Sequence, residues 1–263
     1  MMVKIYIDPG HGGKDPGAQG NGLKEKDVVL EIAKKVRDRL VASGFEVKMS
    51  RTGDTYPTLT QRTNEANAWG ADFFLSIHIN AGGGHGYEDY RYITLSASSS
   101  TGKMHATIHK HMKAKVGKYG MPDRGMKQKN LHVLRESKMA AVLTELGFID
   151  NSKDAADLKN SSFKSDAAWG LVDALCEIYG KKPTAPGGGS GSGGAVGKMV
   201  IVKDNPDGWL WVYNKPDWNA KYQKVKPGEA FTIAQELTVS GSKMYKLKSG
   251  LYITAASKYV EVK

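Results

Sequence analysis

Three apolar runs in this chain of 263 residues end in groups that can do chemistry. The first leads into Asp8-Pro9-Gly10-His11-Gly12-Gly13, the second reads Ser76-Ile77-His78-Ile79-Asn80, and the third reads Thr144-Glu145-Leu146-Gly147-Phe148. Glu25 closes the loop after His11, just ahead of a helical pattern. Two neutral imidazoles and one carboxylate, with a fourth position left open, are the ligand set of a catalytic zinc site, and His11, Glu25 and His78 supply it. Zinc brings the pKa of a water to about 7 and polarises a carbonyl, while a further carboxylate beside the metal takes the proton. Glu145 suits that part. No His-Glu-x-x-His is present, so spacing alone leaves His11 open between metal ligand and structural turn residue. Glu145 stands out more sharply, because an unpaired carboxylate on an apolar strand is costly to bury unless it has a task.

These groups converge only if the runs are neighbouring strands. Residues 3–8 and 45–49 are β-prone, and between them Val29, Ile32, Ala33, Val36 and Leu40 recur at helical spacing. A helix is predicted over 60–69, a strand over 72–79, a polar helix near 102–118, a strand over 140–144 and a final helix over 163–179. Such alternation predicts an α/β fold with a mostly parallel sheet flanked by helices. In sheets of that kind ligands bind outside the carboxyl ends of the strands, which places both histidines and Glu145 on one rim.

Residues 183–197 are rich in Pro, Gly and Ser and read as a flexible linker between residues 1–182 and 198–263. The last part has no helical period. Short β-prone runs at 199–202, 210–212, 230–233, 244–247, 251–254 and 259–262 alternate with turns such as Asn205-Pro206-Asp207-Gly208, predicting a small antiparallel barrel. Trp209, Trp211 and Trp218 either fill its core or face a ligand groove.

The net charge is +11, with 27 Lys and Arg against 21 Asp and Glu before residue 183 and 11 against 6 after it. A positive charge spread over both parts favours polyanionic partners, whether nucleic acid, anionic lipid headgroups or anionic wall polymers, and composition does not choose among them. The chain has no RNP motif, zinc finger or basic run to point to nucleic acid. A single cysteine, Cys176, excludes an intrachain disulfide and reads as a packing thiol on a helix with Leu171, Val172 and Leu175. No apolar stretch is long enough to span a membrane, and residues 1–7 lack a secretory signal pattern. His105, His109 and His111 share one predicted helix with Lys103, Lys110, Lys113 and Lys115 and read as a solvated polar face. Gly10-x-Gly12 lacks the acidic residue of a dinucleotide loop.

The blocks Ile7–Gly13, Gly22-Leu23-Lys24-Glu25-Lys26-Asp27, Ser50-Arg51 with Asp54 and Arg62, Ser76–Ala81 and Val142–Asn151, in this order, resemble the zinc N-acetylmuramoyl-L-alanine amidases of bacteria and their phages. The resemblance covers about residues 3–180. It implies one zinc ion held by His11, Glu25 and His78, Glu145 as the catalytic carboxylate, and hydrolysis of the amide between the lactyl group of N-acetylmuramic acid and L-alanine in peptidoglycan. Asn80, Arg124 and His132 lie in blocks that resemble groove-lining segments of the family, which implies substrate contact. The 67 residues from His78 to Glu145 leave no room for the autoinhibitory insert of some relatives.

Residues 225–231 and 245–260 resemble bacterial Src-homology-three-like wall-binding modules, although Leu251 stands where a tryptophan is usual. Together the features imply a monomeric endolysin, made without an export signal and reaching the wall through a holin-type lesion or cell lysis. A zinc peptidase cutting the stem peptide or crosslink, and a catalytically dead wall binder, are the rival readings.

Overall fold

The computed structural model describes residues 2–186, 195–239 and 242–263. The chain divides into two compact units, Met1–Thr184 and Ala185–Lys263.

The first unit runs β1 (Lys4–Pro9), a small hairpin of β2 (Gln19–Gly20) and β3 (Leu23–Lys24), α1 (Glu25–Ala42), β4 (Glu46–Met49), α2 (Leu59–Trp69), β5 (Phe73–Asn80) and β6 (Tyr87–Tyr92). It continues with α3 (Ser100–Val116), β7 (Asp123–Lys129), α4 (His132–Arg135), β8 (Ala140–Phe148), α5 (Ser152–Lys159) and α6 (Ser161–Ile178). One six-stranded sheet has the order β4-β1-β5-β8-β6-β7. Its first four strands are parallel, whereas β6 runs antiparallel to β8. This is the α/β architecture expected, with β1, β5 and β8 side by side.

Strand alternation gives the sheet two different faces. Ile5, Ile7, Leu75, Ile77 and Val142 pack under the apolar stripes of α1, α3 and α6. Tyr6, Phe74, Ala141, Leu143 and Tyr90 pack under α2 and α4. Asp8, Ser76, His78, Glu145 and Glu88 share the phase of this second set, so the polar groups emerge where that thinner layer ends.

Strands β6 and β7 were not legible as strands. β6 reads Tyr-Glu-Asp-Tyr-Arg-Tyr, yet its first five residues are buried, because Glu88 and Asp89 are paired by distant elements and Arg91 donates to the Leu95 carbonyl. The same pairing corrects the reading of the α3 histidines. His105 is fully buried and meets Asp89 Oδ1 at 2.7 Å, His109 lies between Asp89 and Asp123 at 3.0 and 3.1 Å, and His111 meets Glu177 at 2.6 Å. Their carboxylates come from β6, β7 and α6: Lys103, Lys110 and Lys113 do form an exposed face of α3, but His105 and His109 lie off it, against the sheet. Cys176 is buried, packed in the core beneath α6.

The second unit is an antiparallel sheet of β9 (Met199–Val202), β10 (Leu210–Tyr213), β11 (Lys221–Val225), β12 (Ala230–Val239), β13 (Ser242–Leu247), β14 (Tyr252–Thr254) and β15 (Val260–Val262), ordered β11-β10-β14-β13-β12-β9-β15. Val225 on one edge strand and Val260 on the other share a single aliphatic cluster, so the sheet curls on itself. The tryptophans lie outside that cluster, half-buried. Trp209 and Trp211 meet edge to face with Lys224 Nζ 3.5 Å from the Trp209 ring centre, and Trp218 borders an open depression of about 450 Å³ with Ser242, Lys243 and Thr254. Of the predicted linker, residues 187–194 lie outside the described residues, and Ala195 already packs into the second unit's core. No helix among the described residues is long and apolar enough to cross a membrane.

Candidate metal and catalytic site

The loop carrying His11 is held from below by two buried arginines. Asp8, 1 % exposed, accepts from Arg62 Nη1 at 2.6 Å, Ser50 Oγ at 2.7 Å and Ser76 Oγ at 2.9 Å. Burial opposes ionisation of Asp8, but the Arg62 guanidinium outweighs it and holds the pKa below the ordinary value. Arg62 also donates to the carbonyls of Pro9 and His11, and Arg51 donates to those of Pro9, Gly10 and Lys26. These bonds explain how His11 keeps φ at 58°, a left-handed conformation that a residue with a Cβ adopts at a cost.

Glu25 is the first residue of α1 and is 3 % exposed. Its Oε2 accepts from the Ala18 amide at 2.9 Å and lies 3.1 Å from His11 Nε2, while its Oε1 accepts from the Ile79 amide at 2.9 Å and lies 2.9 Å from His78 Nδ1. One donor atom from each of His11, Glu25 and His78 falls within 4.8 Å of the others. Asp15 meets the far ring nitrogen of His11 at 2.8 Å, the orienting bond a metal-binding histidine requires. The trio rests against bare backbone: a Cβ on Gly10 would be 2.2 Å from His78 Cε1, and one on Gly17 would be 2.6 Å from Glu25 Oε2.

The electrostatics suit a cation. Burial disfavours a charged His11, yet its bonds to Glu25 and Asp15 prevail and raise its pKa to about 9. His78 is likewise raised against its burial by Glu25. Glu25, despite burial, is held far below the carboxylate range by the two histidines. A fixed anion between two imidazoles that favour positive charge is a donor set that fits a divalent ion replacing their protons.

Glu145 is the register partner of His78 on one side and of Glu88 on the other. Its Oε2 is buried without a hydrogen-bond partner, and burial above all pushes its pKa up to about 7. Among the described residues this is an unpaired carboxyl beside the donor trio, the condition of a group meant for an incoming ligand.

Glu88, which sequence reasoning missed, is buried at the centre of a polar network. It accepts from Asn80 Nδ2 at 2.8 Å and Arg124 Nε at 2.6 Å, and also from Lys127 Nζ and the Tyr90 hydroxyl. Burial resists its charge, but Lys127 and its fellow donors bring its pKa to about 2. Asn80 and Arg124 are thereby joined to the row of His78, Glu145 and Glu88. His132 is the first residue of α4 with Nε2 buried and unpartnered, and its hydrogen bonding does not join it to that network. Asp150 accepts from the Gly82 and Gly83 amides, and Asp154 from those of Gly86 and Phe148, fixing the 81–86 loop at the rim.

The family profile described as N-acetylmuramoyl-L-alanine amidase matches residues 5–177. The chain belongs to that family. It is 55% identical over its whole length to an endolysin of Bacillus phage SPP1, covering 99% of that protein. It is 50% identical to the sporulation-specific N-acetylmuramoyl-L-alanine amidase of Bacillus subtilis strain 168, over 71% of this chain and 72% of the relative. Among solved structures, the catalytic domain of CwlV, the N-acetylmuramoyl-L-alanine amidase of Bacillus (Paenibacillus) polymyxa var. colistinus, superposes with a TM-score of 0.63 at 36% identity, covering 69% of this chain and all of that one. Both the family and the fold agree with the expectation from the sequence blocks.

Proposed function

We propose that the chain hydrolyses peptidoglycan at the amide between the lactyl group of N-acetylmuramic acid and L-alanine, with one zinc ion held by His11, Glu25 and His78. The observation that carries the reading is the donor trio with an unpartnered Glu145 beside it. Bound there, zinc supplies Lewis acidity toward the amide carbonyl and acidifies a water.

The chain's own residues do the remaining work. Glu145, with a pKa near neutrality and a free oxygen, accepts the proton of the attacking water and returns it to the departing alanine nitrogen. Glu25 keeps the metal-binding charge fixed through two backbone amides. Asn80 and Arg124, held by Glu88, border the substrate's path, and His132 is a further candidate contact. Replacing Glu145 by Gln tests the division of roles: turnover is lost while zinc stays near one equivalent per chain, and loss of the metal would overturn it.

The second unit serves as a wall anchor. Its net positive charge and the half-buried Trp209 and Trp211 beside Lys224 support attraction to anionic wall polymers as well as to peptidoglycan. Binding of the full chain to Gram-positive walls then weakens as salt rises. Salt-independent binding would remove the electrostatic part. The likeness to a phage endolysin supports lysis of the wall as the biological setting.

A further inference from the structure

The row His78, Glu145, Glu88 crosses three neighbouring strands, each step about 4.8 Å. It ends in Arg124. The Nε of Arg124 donates to Glu88 Oε2 at 2.6 Å, and its guanidinium carbon lies 4.8 Å from the ring centre of Phe148, at the end of β8. Two independent restraints thus fix the planar head, while its two outer nitrogens have no hydrogen-bond partner among the described residues. The side chain is 36% exposed, so these nitrogens reach solvent. Arg124 and Lys127 together meet one carboxylate, Glu88, which leaves a positive charge uncompensated. A rigid guanidinium with its outer N–H groups free is shaped for bidentate capture of a carboxylate.

Resting on the amidase reading above, we infer that Arg124 is a specificity-determining residue that receives a free carboxylate on the stem-peptide residue next to L-alanine. The reach fits. From the scissile nitrogen to the α-carbon of that next residue is about 5 Å, and its carboxylate lies about 1.5 Å further. The row from Glu145 past Glu88 covers one to two strand spacings, about 5–10 Å. A residue at that position can present a free carboxyl or its neutral carboxamide. Only the free form can pair with both outer nitrogens as an anion.

The test uses the zinc-loaded full chain and two muramoyl peptides differing only in that carboxyl, free acid or carboxamide. The wild type cleaves the acid with kcat/KM at least about tenfold higher, the difference lying in KM. R124Q raises KM for the acid about 10- to 100-fold and KM for the carboxamide far less, so that the preference between the two substrates collapses. R124K, which keeps the charge but not the fork, recovers part of the preference. Glu88 retains three donors in R124Q, and an unfolding curve checks that the fold persists; R124K carries the test where it does not. Equal rates on both substrates, or a preference that survives in R124Q and R124K alike, would overturn the inference while leaving the amidase intact. Cleavage of neither substrate would overturn the amidase reading and this inference with it.

Discussion

Gly10→Ala adds one carbon at a place where the structure allows no room for it. The new Cβ would lie 2.2 Å from His78 Cε1 and 2.6 Å from each of its ring nitrogens. Carbon atoms rest at about 3.5–4.0 Å, so the imidazole must retreat by about 1.3 Å or more. A metal–ligand distance tolerates about 0.2 Å, so a displacement of that size removes His78 from the donor set. The backbone of Gly10 is not in the left-handed region, hence alanine brings no conformational strain of its own and the effect isolates the contact with His78. Loss of one of three ligands is expected to weaken zinc binding by at least about 100-fold, about 2.7 kcal/mol. Competition against a chromophoric chelator measures this, alongside a melting curve of the metal-free protein. Zinc affinity within about threefold of wild type, in a folded variant, would refute the placement of His78 against Gly10 and its part in the site.

Zinc binding to the metal-free protein at pH 7 should release at least about one proton, because His11, its pKa raised to about 9 by Glu25 and Asp15, must give up its proton to the metal, and His78, raised by Glu25, adds to the count. Calorimetry in buffers of different ionisation enthalpy counts them, and the affinity should fall steadily as the pH drops. Arg62→Ala leaves Asp8 buried and unpaired and removes donors from the Pro9 and His11 carbonyls, so chemical denaturation should show a loss of about 3–5 kcal/mol. Glu145 has a folded pKa above its unfolded one, so its contribution to the stability of the metal-free protein is full below about pH 4.5 and disappears as the pH rises through about 7. E145Q should therefore gain on the wild type in unfolding free energy between pH 5 and pH 8, by about 1–3 kcal/mol from denaturant curves; parallel pH profiles for the two proteins would show that burial does not raise this carboxyl.

The parts legible in the sequence were those encoded locally. Alternation of apolar runs with helical stripes carried the α/β fold, and the glycine-rich turn around His11 marked the end of β1. The groups carried by long-range pairing were not legible. Glu88 and Asp89 make β6 look like a polar loop, and only the partners from β7 and α3 allow them to be buried. The two arginine clamps are likewise invisible to periodicity, because Arg51 and Arg62 act on backbone carbonyls of the distant residues 9–11. The α3 histidines misled for the same reason. His105 has no carboxylate within its own helix, and Asp89 reaches it from 16 residues away across the sheet. In the second unit the turn signals located six of seven strands, while Lys221–Val225, exposed on all but its last residue, paired as an edge strand without an alternating apolar pattern.

Cleavage of the lactyl–alanine amide at this site has its readout in the products. A digest of purified peptidoglycan by the zinc-loaded chain, with products read by mass spectrometry, tests it most directly. Intact stem peptides with a free L-alanine amine are expected together with unsubstituted glycan strands, and none of either with E145Q. Cuts within the stem or crosslink would keep the metal site and contradict the amidase assignment, and an absence of soluble products would contradict both.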